Sequence, residues 1–134
     1  VDLSRTPAQI ATAAAEELRA FNHRTLDAKA FAQPGDVSEA ADALARVVQY
    51  LPRALRQLET GLERLHEEQR IRLDDKPPAE TSQQDIFDRV TTVVLALREA
   101  RVDLSRLDDR MREVKGPLSH MGAPWEDEEE ESGV

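Results

Sequence analysis

The chain of 134 residues contains no cysteine. That absence excludes disulfides, thiol nucleophiles and thiolate metal sites, and it fits a reducing compartment. Aromatic residues are nearly as scarce, with one Trp, one Tyr and three Phe. Any core is therefore aliphatic, and the interleaved rings that nucleic-acid binders use for base stacking are missing. No stretch approaches the ~18 consecutive apolar residues of a membrane-spanning helix. No charged region followed by an apolar run marks a signal peptide, so the expected location is cytoplasmic. Positive charge is in deficit: 27 acids face 18 Lys and Arg, for a net charge of −9. The basic footprint of a nucleic-acid binder is absent. Six of the acids form one run at 126–131, so the rest of the chain is only mildly acidic.

What the chain does have is period. One ladder runs Val37, Ala41, Leu44, Val48, Leu51, Leu55, Leu58, Leu62, Leu65, and a second runs Ile86, Val90, Val93, Leu97, Ala100, Leu104, Leu107, Met111, Val114. Both alternate steps of four and three. At 3.6 residues per turn, such spacing holds one apolar seam toward a partner for about four heptads. An earlier, shorter segment carries Ile10, Ala14, Leu18, Phe21 and Thr25 near helical spacing.

Local signals bound these segments. Thr6, Pro7 and Gln9 read as a helix start, with Thr6 and Gln9 forming a capping box. Asp36 with Glu39, and Ser82 with Asp85, read the same way. Pro34-Gly35, Pro77-Pro78 and Gly116-Pro117 are breakers. The spacing predicts helices over about 6–26, 36–73 and 82–115 within a helical domain at 1–117, followed by an acidic, disordered tail at 118–134. Pro52 removes one amide donor inside the second helix, and because the ladder continues in phase it predicts a kink and not a break. Phe31, the one large apolar side chain of the first connection, is expected to plug back into the core.

Short connections make neighbouring helices antiparallel. The expected architecture is an all-α, antiparallel three-helix bundle whose two long helices form a coiled-coil-like hairpin, with the first helix folded back along the start of the second. The third helix is apolar beyond one narrow stripe: Phe87 and Val94, seven apart and just off the ladder, form a second, and Phe87, Val90, Val94 and Leu95 are the candidate oligomer interface. The expectation is a homo-oligomer, a dimer foremost.

Candidate chemistry is thin. Glu63 and His66 have the three-residue spacing of a di-iron bundle motif, but such a site needs a second Glu-x-x-His and two more carboxylates, and the first and third segments supply no second copy. His66-Glu67 is followed by Arg70 where a zinc peptidase places its second His. No phosphate loop or serine elbow occurs, and adjacent acids such as Glu16-Glu17 point apart. No catalytic residue, metal or cofactor is expected. Arg46, Arg53 and Arg56 occupy a stretch with no acid between Asp42 and Glu59, which makes them the candidate patch for an anion or the acidic tail. Asn22, His23 and Arg24, at the end of the first helix, are the candidate polar pocket, although capping and the helix dipole account for residues of these types there.

The run Phe21-Asn22-His23-Arg24-Thr25, then Asp36-Val37, then Leu51-Pro52-Arg53-Ala54-Leu55-Arg56-Gln57-Leu58 resembles a group of small helical proteins of actinobacteria, which share an Asn-His-x-Thr turn and a Leu-Pro-x-x-Leu-x-Gln-Leu helix. The resemblance covers about residues 6–73. It implies a bacterial cytosolic helical protein and assigns no catalytic residue. The sequence thus reads as a non-enzymatic interaction or scaffold protein that self-associates and offers helix faces or its tail to a protein partner, with a regulator binding a small anion or nucleotide as the alternative.

Overall fold

The computed structural model describes residues 1–125; most of the acidic tail, including the run at 126–131, lies outside them. The described chain is all-α. It comprises α1 (Pro7–Arg24), α2 (Pro34–Glu67) and α3 (Gln83–Leu118), with one 3-10 turn at Pro78–Glu80 before α3. No described helix is long and apolar enough to cross a membrane. The chain divides into two compact units, one of Val1–Val37 with the described residues from Met121 on, the other Ser38–His120.

In the first unit α1 opens on a reciprocal cap. The Gln9 amide donates to Thr6 Oγ1 at 3.2 Å, and the Thr6 amide donates to Gln9 Oε1 at 2.9 Å. Pro7 takes the first turn, where a missing amide hydrogen costs nothing. At the other end the Thr25 hydroxyl donates to the Phe21 carbonyl at 2.8 Å. No α1 residue is buried, and Phe31 stays exposed, contrary to the expected plug.

The second unit is an antiparallel hairpin of α2 and α3. Its sense is fixed by cross-helix contacts: Asp42 meets Lys115 at 3.7 Å, Glu59 meets Arg98 and Arg101, and the His66 and Phe87 rings lie 6.2 Å apart. Partners fall on α3 as they rise on α2. The best-covered cluster, Ile86, Val90 and Val94 with Leu62, Ile71 and Leu73 against it, sits at the connected end.

Three boundaries depart from the sequence reading. α2 begins at Pro34, not Asp36, and the Asp36 carboxylate folds back to accept from the Ala32 and Gln33 amides. It runs unbroken through Pro52 but ends at Glu67, not 73. Gln69 adopts φ 58°, the Arg70 amide reaches the Leu65 carbonyl and the Gln69 amide that of His66. This is a Schellman stop with Gln where Gly is usual, and it turns Ile71 and Leu73 back onto the core. α3 passes through Gly116-Pro117 to Leu118, and the Ser119 amide still reaches the Lys115 carbonyl at 3.0 Å. In a last turn, Pro removes one donor and its fixed φ remains helical.

The seam itself is displaced by one residue. The covered face of α2 follows Ala41, Ala45, Val48, Pro52, Leu55, Glu59, Leu62 and His66; that of α3 follows Val90, Val94, Leu97, Arg101, Leu104, Asp108, Met111 and Lys115. Each expected ladder keeps one column in the seam (Ala41, Val48, Leu55, Leu62; Val90, Leu97, Leu104, Met111), while of the other column only Ile86 is buried, Leu44 and Ala100 are half-buried and the rest are exposed. Leu58 is 60% exposed, and Leu51, Leu65, Val93, Leu107 and Val114 are exposed with it. Steps of three and of four both close a heptad, so either flank of the shared column can complete a seam. A helix with a wide apolar face can satisfy two neighbours. Here the +4 flank meets the opposite helix and the +3 flank faces away.

Candidate functional site

The hairpin carries two different faces. On an antiparallel pair, the +3 flanks of both helices fall on the same side, because two right-handed helices that run in opposite directions advance in opposite rotational senses when seen from one end. Leu51, Leu58 and Leu65 therefore share one broad face with Val93, Leu107 and Val114. The +4 flanks turn toward the opposite face, where the polar groups collect.

At the connected end of that second face, the four residues of the expected interface do come together. Phe87, Val90, Val94 and Leu95, with Glu63, His66, Thr91 and Arg98, line an open groove of about 240 Å³. Their roles differ, however. Val90 and Val94 are buried in the hairpin's own core and form its floor, so they are not free to meet a second copy. Phe87 and Leu95, each 52% exposed, form its rim. His66 packs against the Phe87 ring with the planes tilted by 48°. Among the described residues no group of three or more His, Asp or Glu is placed to share a metal ion.

The middle of the face holds a charge cluster around a buried Glu59 that sequence reading missed. Glu59, 7% exposed, accepts from Arg98 Nε at 2.7 Å and from Arg101 Nη1 at 3.0 Å. The Arg98 hydrogen bond, joined by Arg101 and opposed by desolvation, holds the Glu59 carboxyl below its ordinary value. Further along the seam, Asp108 Oδ2 accepts from Arg112 at 3.0 Å, while Oδ1 is enclosed without a donor among the described residues. Two carboxylates at the turn are also shifted down. Asp85 is lowered first by the Ser82 amide, then by the Ser82 hydroxyl and Lys76; Asp75 is lowered first by Arg89.

Beyond Glu59 lies an open groove of about 820 Å³, lined by Pro52, Arg53, Arg56, Gln57, Thr60, Gly61, Arg64 and Arg101. Two of the three expected patch residues, Arg53 and Arg56, belong to it. Arg46 does not; Arg64 and Arg101 take its place. Spacing along α2 offered Arg64, but Arg101 could be found only from the pairing register. No aromatic ring lines the groove, so nothing there would stack on a base. Asn22, His23 and Arg24 lie exposed on the last turn of α1, whose end is capped by Thr25. Comparison with family models, with curated proteins and with solved structures gave no match.

Proposed function

We propose that this chain is a non-enzymatic helical interaction protein that pairs with a second copy of itself through the leucine face of its hairpin. The supporting observation is the displaced seam, which leaves Leu51, Leu58 and Leu65 exposed in heptad register beside Val93, Leu107 and Val114. Soluble proteins rarely leave so long an apolar strip open. Fully burying a Leu or Val is worth about 1.5–3 kcal/mol. The exposed portions of these six side chains therefore supply about 4–8 kcal/mol per copy, comparable with the lower range of association costs. A two-fold axis lays the strip of one copy on that of the other, as an isologous interface requires. In this arrangement each seam flanks its neighbour as in a coiled coil, and the Phe87 groove lies on the far side.

Sedimentation equilibrium over a wide concentration range tests this reading. The wild type is expected to move from monomer to dimer, and Leu58→Asp with Leu65→Asp to remain monomeric with its helical circular dichroism intact. Phe87→Asp is expected to dimerise normally. A wild type that stays monomeric throughout, or a Leu58→Asp/Leu65→Asp variant of unchanged mass, would sink the proposal.

A further inference from the structure

We propose that the arginine groove on the opposite face of the hairpin is a docking site for an extended acidic peptide, a role independent of pairing through the leucine face. Arg53, Arg56 and Arg64 rise along one side of α2, and Arg101 faces them from α3. Glu59 is already engaged by Arg98 and Arg101, while Arg53, Arg56 and Arg64 form no ion pair with a described residue. A concentrated positive site thus stands on a chain of net charge −9.

The spacing selects the shape of the ligand. Residues 53 and 64 are separated by about 17 Å along the helix at ~1.5 Å per residue. A compact anion such as orthophosphate can meet only the guanidinium groups of one turn. An extended peptide at ~3.3 Å per residue crosses the whole groove with about five residues. Guanidinium forks pair with carboxylates through two parallel hydrogen bonds, so the alternate Asp or Glu side chains that an extended peptide turns to one face can be met in turn. Thr60 contributes a hydroxyl donor, and Gly61 leaves the wall open: a Cβ built there meets nothing within 4 Å. The six consecutive acids at 126–131 have the same chemistry and supply the sequence of the probe.

The test titrates the free hexapeptide EDEEEE into the full chain in which residues 126–131 are converted to their amides, so that no internal acid run competes. The side-chain Nε resonances of Arg53, Arg56 and Arg64 are expected to shift saturably, and affinity to fall as salt rises. Replacing the three arginines by Gln is expected to weaken binding about tenfold with unchanged helicity, as the loss of three exposed charge pairs implies. The proposed occupant is an acidic segment of a partner protein, so the unaltered chain is expected to bind the peptide as well as the amidated one does; weaker binding to the unaltered chain would show its own acidic run competing and would overturn that assignment. Absence of saturable binding at low salt, indifference to the Arg→Gln changes, or tighter binding of tripolyphosphate than of the peptide would overturn the docking site itself.

Discussion

Truncating Ile86 and truncating Leu58 to Ala should have very different consequences, although the two residues occupy equivalent rungs of the sequence ladders. Ile86 is 9% exposed and packs in the cluster with Val90, Val94 and Leu62. Removing its outer carbons costs about 2–5 kcal/mol, and the nearby solvent-exposed turn, which can relax into the space, favours the lower half of that range. Leu58 is already 60% exposed in one copy. Only the covered part of its roughly 1.5–3 kcal/mol of burial can be lost, so Leu58→Ala costs about 1 kcal/mol or less. Urea unfolding at low protein concentration reads the difference directly. With a slope of about 1–3 kcal/mol per molar, Ile86→Ala should lower the midpoint by about 1–2 M and Leu58→Ala by about 0.5 M. Repeating the measurement at high concentration adds the pairing term: the Leu58→Ala deficit should widen and the Ile86→Ala deficit should hold. Equal midpoint shifts at low concentration would mean that Leu58 packs inside the hairpin and that the seam has been placed on the wrong flank.

Gln69→Gly should raise stability by about 1 kcal/mol, because the left-handed residue that ends α2 carries a Cβ at φ 58°; no gain in urea midpoint would refute the strain. Gly61→Ala should add about 1 kcal/mol, since it sits inside α2 with open space at its Cβ position; a loss would mean that something closes on that wall. The lowered carboxyls of Glu59, Asp75 and Asp85 bind fewer protons folded than unfolded, so their stabilisation is complete above the ordinary values of 4.5 and 3.8 and is lost as pH falls through the folded ones. Glu59→Gln should flatten the fall of unfolding free energy on acidification below about pH 4.5, and a slope identical to wild type would show that Glu59 does not contribute.

The helix count, two of the caps and the antiparallel sense were legible because their signals are local or periodic. Thr6 with Gln9 and Ser82 with Asp85 each need only three residues to declare themselves. The end of α2 was illegible because Gln69 carries no turn signature; its φ is imposed by Ile71 and Leu73 packing back on Ile86 and Val90. The end of α3 was misjudged because Gly116-Pro117 reads as a stop in isolation, whereas in a final turn it removes a single donor. The site suffered more. Arg53 and Arg56 were visible on one helix, but Arg101 joins them only through a register that sequence spacing does not supply.

That register is written in the charges, not in the leucines. The shared column of α3 repeats at seven residues as Val90, Leu97, Leu104 and Met111, so sliding α3 by one heptad would replace each of its aliphatic contacts with another of similar kind. Glu59 does not tolerate the slide. A shift one way sets Thr91 and Val94 where Arg98 and Arg101 stand; a shift the other way sets Ser105 and Asp108 there. Either alternative leaves a carboxylate in the seam without a cation, the costly way to break a buried pair. A polar group at one seam position is the known means by which zipper-like helices fix their alignment. Glu59 therefore sets the hairpin, and it does so from the +4 flank. The leucines of the +3 flank are released from that duty, which is why they can stand outside the seam, where the proposed pairing would use them.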